Sequence, residues 1–418
     1  MWSETVSKKS RCLVAVLCLL LCGCAGKEAG EAQLVSRNGA PVVQLGDAVY
    51  YWRYSADSFE PGGLWGDYSP RENAENQLIR CEDGRETVLA SGPWFGPMWV
   101  LGDRLIVRNV TGESGGLTCL SPAGEVLWTL DGEDVTVRTA DPERGSLICT
   151  SGWTVFSLDG EGHRTDLAEM VQYLGYEDGA LYVQDYSQYE EAILWQLAWD
   201  GQWTELARVT VEYGGNSGPI ITQLETAGDT VYFLYGAYDG TANVFQGGWL
   251  AAAKLDGSGC DILTSVPFDR FFLQERDGTV TLVYPDEYEL SWDGKTVLEL
   301  DVETGEIAQT DGPVWFRPVG VPFADGGCVR VVKDRTGETV TLADGITFPE
   351  TEYNGEEPEP CRKIRDIAVA GGWLWYTLEV GRYAEEWSAG WRDGYARTVT
   401  RVCRIPLTGG EVQVLYEY

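Results

Sequence analysis

A polar turn followed directly by a β-branched or aromatic run recurs along the chain. In its clearest copy, residues 227–229 form an Ala-Gly-Asp turn, and residues 230–235 read Thr-Val-Tyr-Phe-Leu-Tyr. The first apolar residue after the turn recurs at eight positions: Val49, Leu105, Leu147, Leu181, Val231, Val280, Val329 and Leu374. Their spacing, roughly 34 to 56 residues, lies in the range of repeat arrays and propellers. The pattern therefore predicts a repeat protein.

Most units contain a second half, in which an alternating apolar and polar strand ends in a glycine turn before another strand. Residues 155–160 (Val-Phe-Ser-Leu-Asp-Gly) and 197–201 (Leu-Ala-Trp-Asp-Gly) are examples. Asp-Gly between alternating apolar residues is a hairpin signal. Four short strands per unit, without helical periodicity after the N-terminus, predict an all-β fold, a β-propeller. We predict eight blades; seven is the alternative, because the unit at residues 328–341 is short.

The two ends of the repeat suggest how the ring closes. The last unit supplies strands near residues 373–378, 398–405 and 411–415 and is one strand short, whereas Pro41 to Leu45 forms an unassigned strand before the first unit. We predict that this N-terminal strand joins the last blade, which would leave no open sheet edge. Residues 35–418 are then a single propeller domain, expected to be a monomer.

The N-terminus has the pattern of an export signal. Lys8, Lys9 and Arg11 precede an apolar run at residues 13–21, which is too short for the ~20 residues of a membrane-spanning helix. Residues 21–24 (Leu-Cys-Gly-Cys) resemble the lipobox of bacterial lipoproteins. That resemblance implies that residues 1–23 are a signal peptide, that Cys24 is lipidated, and that the protein is anchored outside the cytoplasm. Residues 24–34 then form the lipidated cysteine and a flexible tether.

Two segments resemble the repeat of quinoprotein-type propellers, in which a glycine turn precedes a docking tryptophan. They are residues 120–128, which end in Trp128, and residues 300–307, which lack the tryptophan. The resemblance implies the fold and the class of lipid-anchored envelope propellers. Quinoprotein dehydrogenases also carry a vicinal cysteine pair beside the quinone. This sequence has no such pair, so we predict no quinone cofactor.

Charge and cysteine content narrow the class of partner. The formal net charge of −34 disfavours nucleic acid as a partner and favours a cationic partner or simple solubility. Cys24 aside, the seven cysteines after residue 23 show no Cys-x-x-Cys spacing, and most fall in predicted strands. Zinc and a full disulfide framework are therefore not expected.

Few residues offer catalytic chemistry. His163 is the only histidine and lies in a glycine turn, so serine and cysteine triads and histidine metal sites are not expected. A pair of carboxylates could support glycoside hydrolysis, but the sequence selects no pair among 65 acidic residues. The Asp-Gly clusters at residues 239–243 and 256–259 could bind calcium through oxygen ligands, although neither has the EF-hand spacing. We predict no cofactor other than a possible calcium ion.

Four units carry long segments between successive strands: residues 55–76, 185–191, 236–248 and 381–397. In a propeller this connection emerges on one face, where loops on a rigid scaffold commonly bind ligands. The aromatic residues that we select as candidate ligand contacts are Trp65, Tyr68, Tyr186, Tyr189, Tyr238, Trp249, Tyr383, Trp387 and Trp391. Rings interleaved with acidic residues can stack on sugars or anchor a protein. We therefore expect a non-enzymatic envelope protein that binds a glycan or protein; the alternatives are a carboxylate-dependent glycoside hydrolase or lyase, and a scaffold of an envelope complex.

Overall fold

The computed structural model of the chain describes residue 34 and residues 38–417, apart from the following ranges: 55–58, 62–67, 71–74, 93, 112–113, 132–133, 178, 186–189, 200, 212–217, 240–243, 267–271, 277–278, 285–292, 302–305, 309–312, 316–319, 334–337, 350–360 and 384–394. Within these limits the chain is all-β, and no described segment forms a helix with the length and hydropathy of a membrane span. The predicted signal peptide, Cys24 and nearly all of the tether lie outside the described residues.

The strands form antiparallel sheets in chain order. The first sheet contains β1 (Val42–Leu45), β2 (Ala48–Arg53), β5 (Asn76–Glu82) and β6 (Arg85–Gly92), and a hairpin of β3 (Phe59–Pro61) and β4 (Tyr68–Pro70) lies between β2 and β5 in the chain. The second contains β7 (Trp94–Leu101), β8 (Arg104–Thr111), β9 (Ser114–Leu120) and β10 (Val126–Leu130), and the third contains β11 (Val135–Asp141), β12 (Ser146–Ser151), β13 (Thr154–Asp159) and β14 (Arg164–Ala168). The fourth contains β15 (Val171–Glu177), β16 (Ala180–Asp185), β17 (Glu191–Ala198) and β18 (Trp203–Thr210).

The other four sheets follow the same plan with more variation. The fifth contains β19 (Pro219–Ala227), β20 (Thr230–Asp239), β21 (Val244–Lys254) and β22 (Cys260–Val266). The sixth contains β23 (Phe272–Arg276), β24 (Thr279–Tyr284), β25 (Asp293–Asp301), β26 (Ile307–Ala308) and β27 (Pro313–Trp315), and the seventh contains β28 (Pro322–Asp325), β29 (Cys328–Val332) and β30 (Thr339–Ala343). The eighth contains β31 (Cys361–Ala370), β32 (Trp373–Tyr383), β33 (Tyr395–Pro406) and β34 (Gln413–Glu417). The unit that is short in sequence is the three-stranded seventh sheet.

The repeat predicted from sequence corresponds to one position in every sheet. Each of the eight recurring apolar residues, from Val49 to Leu374, is the second residue of the second strand of its sheet, and all eight are buried. The polar turn before each of them joins the first strand to the second. The repeat is therefore confirmed, and the arrangement of the sheets is propeller-like. The sequence placed the start of the unit one strand too late, at the second strand instead of the first.

This shift of one strand explains why the predicted closure is wrong. Val42–Leu45 pairs with Ala48–Arg53 in the first sheet, and the eighth sheet has four strands of its own. The chain before β1 is held at the second sheet instead: the side chain of Asn38 bonds both the backbone N–H and the carbonyl of Val100, and Ala40 forms a β-bridge with Met98. These contacts hold the segment before β1 against the first strand of the second sheet.

The first and eighth sheets nevertheless contact each other, through side chains. The rings of Tyr51 and Trp375 lie with centroids 5.0 Å apart, and the Tyr416 hydroxyl donates to the carbonyl of Trp52. The amide oxygen of Gln44 accepts the backbone N–H of Gly371 at 2.9 Å. A hydrophobic cluster drawn from both sheets fills the space between them. The two ends of the chain therefore meet by packing rather than by sharing a strand.

Neighbouring sheets are aligned in the same direction. The turns that join first to second strands, and third to fourth strands, lie at one end of each sheet, which we call the turn end; the connection from second to third strand leaves from the opposite, loop end. Turn ends contact turn ends: Arg104 bonds Gly160 and Glu161 of the third sheet, Arg144 bonds Tyr176 of the fourth, and the Tyr50 hydroxyl donates to the carbonyl of Pro122 in the second. The loop ends of these sheets therefore share one side.

A glycine in the turn between third and fourth strands lets one sheet approach the next. Gly162 has φ +85°, and a Cβ there would lie 2.9 Å from the indole of Trp128, which belongs to the last strand of the preceding sheet. Trp128 also donates its indole N–H to the carbonyl of Gly160 at 2.9 Å. Gly124 and Gly257 make equally close approaches to the last strand of their preceding sheets. These glycines are needed for space as well as for turn conformation.

We predict that Gly162→Ala destabilises the protein more than Gly201→Ala. Gly201 has φ +86° but nothing within 4 Å of its would-be Cβ. Both substitutions should lose about 1–2 kcal/mol of unfolding free energy from the left-handed backbone. Gly162→Ala should lose about 1–3 kcal/mol more, because the methyl group must displace Trp128. Urea denaturation of both variants measures the difference; equal losses would mean that the tryptophan contact does not constrain this turn.

Candidate functional site

The loop end carries the inserted segments that the sequence marks as candidates. Strands β20 and β21 pair as far as Asp239 and Val244, and β32 and β33 pair as far as Tyr383 and Tyr395. The insertion between β2 and β5 contains the β3–β4 hairpin. Two of the four insertions therefore begin as hydrogen-bonded hairpins that extend their sheets at the loop end, and a third contains a separate two-stranded hairpin. The fourth, between β16 and β17, is mostly outside the described residues.

The predicted contact residues are placed as follows. Tyr68, Tyr238 and Tyr383 lie in strands β4, β20 and β32 at or beside the loop end, where only the backbone is described. Across the hairpins, Tyr238 lies opposite Phe245, and Tyr383 lies opposite Tyr395, so each hairpin pairs two aromatic positions. The remaining predicted contacts other than Trp249 lie outside the described residues: Trp65, Tyr186, Tyr189, Trp387 and Trp391. Their use in binding stays a prediction.

Trp249 is the one predicted contact whose side chain is described. It is partly buried against the core shared by the fourth and fifth sheets, and its ring stacks on Tyr235 with centroids 5.4 Å apart and an interplanar angle of 24°. Tyr235 is itself buried. Trp249 thus supports the base of the β20–β21 hairpin with one face of its indole. A ligand role would have to use the remaining exposed part of the ring.

Sequence reasoning missed two apolar residues at the loop end. Trp153, in the short turn between β12 and β13, is 56% exposed, and Met170, between β14 and β15, is 57% exposed. The N–H of Val171 donates to the carbonyl of Trp153 at 3.1 Å, which brings the two turns together. The available signal was a tryptophan in a two-residue glycine turn, where a polar residue is usual.

Met170 is held in an unfavourable backbone conformation. Its φ is +59°, in the left-handed region that costs a residue with a Cβ about 1–2 kcal/mol. Strain of this kind at an exposed apolar residue is typical of functional sites. Met170 and Trp153 therefore extend the candidate binding face to the third sheet.

Described cations at the loop end of the fourth sheet are already paired. Arg208 bonds both Glu191 and Glu205, and hydrogen bonds to these two carboxylates raise the pKa of the guanidinium. Asp185, Glu190 and Glu191 all fall in the insertion between β16 and β17, which contains no basic residue. This part of the face is acidic.

The described residues give thiol and histidine chemistry little support. His163 is 78% exposed at the turn end, with Nδ1 3.0 Å from a carboxylate oxygen of Asp159. Six cysteines are described, all as free thiols. Burial raises the pKa of Cys119 to about 11 and that of Cys149 to about 12, so both are protonated, and poor nucleophiles, at neutral pH.

The calcium candidates differ in what the structure describes. One carboxylate oxygen of Asp256 accepts the N–H of Ser258 at 2.8 Å, a local bond within the turn. Residues 240–243 of the other cluster lie outside the described part of the chain. Among the described residues, no group of three or more histidine, cysteine, aspartate or glutamate side chains is arranged to hold a metal ion.

Comparison with known proteins identifies no family. No family model and no curated protein matches the chain. Among solved structures, a prolyl endopeptidase is 10% identical with a TM-score of 0.37, covering 92% of this chain and 50% of its own. An uncharacterized protein of Listeria monocytogenes is 8% identical with a TM-score of 0.39, covering 78% and 100%. Hsv2p of Kluyveromyces lactis is 9% identical with a TM-score of 0.32, covering 90% and 98%.

These similarities carry no functional argument at such identities and TM-scores. The chain spans about half the length of the prolyl endopeptidase.

We predict that Met170→Gly stabilises the protein. Glycine adopts φ +59° without the steric cost that methionine bears there, so the unfolding free energy should rise by up to about 1 kcal/mol. Met170→Ala is the matched control, since it shortens the side chain but keeps the Cβ. Chemical denaturation should place Met170→Ala at or below wild type. If Met170→Gly were less stable than Met170→Ala, the backbone strain assigned to Met170 would be wrong.

Proposed function

We propose that this protein is a non-enzymatic, lipid-anchored β-propeller of the bacterial envelope that binds a glycan or protein partner through the loop end of its sheets. The observation that carries the proposal is the extension of the β20–β21 and β32–β33 hairpins, together with the β3–β4 hairpin, at the loop end. These hairpins are aromatic in sequence, and they lie at the end of the sheets opposite the turn-to-turn contacts of the first four sheets.

We further propose that the eight sheets are eight blades of one closed ring. Contacts between first strands link the seventh sheet to the eighth, the eighth to the first, and the first to the second. The fourth, fifth and sixth sheets are linked in the same way. A ring of this kind gathers the inserted segments of the first, fourth, fifth and eighth sheets around one rim. It would act as a monomer, since its sheets cover one another.

The proposed location rests on the lipobox resemblance of residues 21–24. A lipid on Cys24 and the short tether after it would hold the ring near the membrane surface while leaving the rim accessible. Acidic residues on the rim favour a partner with basic groups or a hydroxyl-rich glycan, since carboxylates accept hydrogen bonds from both.

The proposal can be tested by shortening the hairpins without disturbing their sheets. Tyr383 and Tyr395 lie opposite each other, so Asn-Gly, a two-residue hairpin turn, can replace residues 384–394. The same turn can replace residues 240–243 between Asp239 and Val244. Binding is then measured against a panel of envelope polysaccharides and against proteins that co-purify with the wild type.

We expect the variant shortened at residues 384–394, which lacks Trp387 and Trp391, to lose about tenfold or more in affinity for a ligand that the wild type retains, because aromatic residues dominate binding energies. The variant shortened at residues 240–243 keeps Tyr238 and Phe245 and should lose less. Trp199→Ala is the control: Trp199 is an exposed tryptophan at the turn end, and its removal should leave binding unchanged. Full retention of every ligand by both shortened variants would contradict the proposal. Release of products from any polysaccharide would favour a hydrolase or lyase.

A further inference from the structure

Two exposed apolar side chains stand apart from the others on the molecule. Ten large apolar side chains among the described residues are exposed. Eight of them lie in the fourth strand of a sheet or in the turn that leads to it. The other two are Trp153 and Met170, and both lie at the loop end of the third sheet. Within the described part of the chain, the exposed apolar surface of the loop end is therefore concentrated at one place.

Backbone contacts hold these two residues next to each other. Trp153 lies in the turn between β12 and β13, and Met170 follows β14. Val155 pairs with Ala168 between β13 and β14, and the N–H of Val171 donates to the carbonyl of Trp153 at 3.1 Å. Ala168 and Val171, which lie close to Met170 on either side in the chain, are buried. The two exposed side chains therefore stand on a base that is fixed by pairing and packing.

The backbone conformation at Met170 indicates that its side chain has a use. Among the described residues, three that are not glycine have a positive φ: Asp83, Met170 and Asp366. Aspartate visits this region more readily than most residues, because its short polar side chain can bond the local backbone. Methionine has no such group, and glycine would adopt the same φ with less strain. A long apolar side chain in this conformation, exposed to solvent, suggests a contact with a partner.

The chemistry of the pair favours a protein over a glycan. The methionine thioether is a weak hydrogen-bond acceptor, and the tryptophan indole has a single donor. The pair therefore offers little to the hydroxyl groups of a sugar. Tryptophan and methionine are both enriched in protein–protein interfaces, and the flexible methionine adapts to the shape of the surface that covers it. An apolar face of a protein segment could cover both side chains.

The connections around this pair are acidic in sequence. Residues 131–134, 152–153, 169–170 and 186–190 join strands at the loop end of the second, third and fourth sheets. Together they contain no basic residue and five acidic ones: Asp131, Glu133, Asp134, Glu169 and Glu190. Negative charge of this kind favours a partner that carries lysine or arginine.

The described cations at the loop ends of the third and fourth sheets are engaged within the sheets. Arg138 donates to the hydroxyl of Thr150 at 3.0 Å, and Arg208 bonds Glu191 and Glu205. Neither arginine lies in the connections that surround Trp153 and Met170. Basic groups for those connections would have to come from the partner.

We propose that Trp153 and Met170 form the binding hot spot for a basic, amphipathic segment of a partner protein. The inference rests on the proposed binding function of the loop end and specifies its partner as a protein. The apolar face of the segment would cover the indole and the thioether, which are held in place before binding. Its lysine and arginine residues would face the acidic connections and fix its orientation.

The probe is a fluorescently labelled peptide of about 14 residues, four helical turns, with leucine on one face and lysine on the other. We expect fluorescence anisotropy to show saturable binding of this peptide to the full chain in about 0.15 M salt. A peptide with serine in place of leucine loses the apolar contact, and one with glutamate in place of lysine loses the charge attraction. Each should bind at least about tenfold more weakly.

Two substitutions test the hot spot without changing the charge of the protein. Trp153→Ala should weaken binding of the leucine–lysine peptide about tenfold or more, and Met170→Ala about 2- to 10-fold. Trp199→Ala is the matched control, since it removes an exposed tryptophan from the turn end and should leave the affinity for the peptide unchanged. Because Trp153 and Met170 are exposed, thermal unfolding should show that both variants remain folded.

Absence of saturable binding of the leucine–lysine peptide, equal binding of the serine peptide, or unchanged affinity in Trp153→Ala or Met170→Ala would each overturn the proposal. A glycan whose affinity falls in Trp153→Ala would overturn it as well, while the proposed function of the loop end would stand. The shortened hairpin variants leave Trp153 and Met170 in place, so the two proposals are tested by different variants.

Discussion

Two-sided burial of the second strands is the constraint on which the rest of the structure depends. In an isolated antiparallel sheet with one face in water, alternate residues would be exposed. In β2, β12 and β16, consecutive residues are buried instead. Tyr50 packs into the cluster shared with the second sheet, and Tyr51 into the cluster shared with the eighth. A sheet with two apolar faces needs a neighbour on each side, so the first and last sheets of the chain satisfy each other.

Close approach at the turn ends follows from that packing. The seams can tighten only where the turn of one sheet fits against the last strand of the sheet before it, and glycines such as Gly162 and Gly257 provide the space. Side chains such as Arg104 and Trp128 then fasten neighbouring turns to each other. The loop ends carry no such requirement, which leaves them able to hold long aromatic insertions and the strained, exposed Met170.

The sequence was sufficient for the features that depend on local pattern. The turn before Val231 and the Asp-Gly hairpins predicted the strands and the repeat, because turn chemistry and β-branched runs act over a few residues. The first strand of each sheet was assigned wrongly: Val42–Leu45 pairs with Ala48–Arg53 across the Gly46-Asp47 turn, although the sequence argument placed it in the last sheet. The contact of Asn38 with Val100, 62 residues away, was not visible in the sequence. The candidate aromatic residues were found where loops are long. Trp153 needed coordinates, since exposure is a three-dimensional property.

The contact between the first and eighth sheets is tested most directly by a double-mutant cycle on Tyr51 and Trp375, which are 324 positions apart in sequence and 5.0 Å apart between ring centroids. Tyr51→Leu, Trp375→Leu and the double variant are compared with wild type by urea denaturation, and the cycle cancels the separate hydrogen bond of Tyr51 to Glu86. We expect a coupling energy of about 0.5–1.5 kcal/mol, as for buried aromatic pairs. Additive losses, with no coupling beyond about 0.3 kcal/mol, would contradict it.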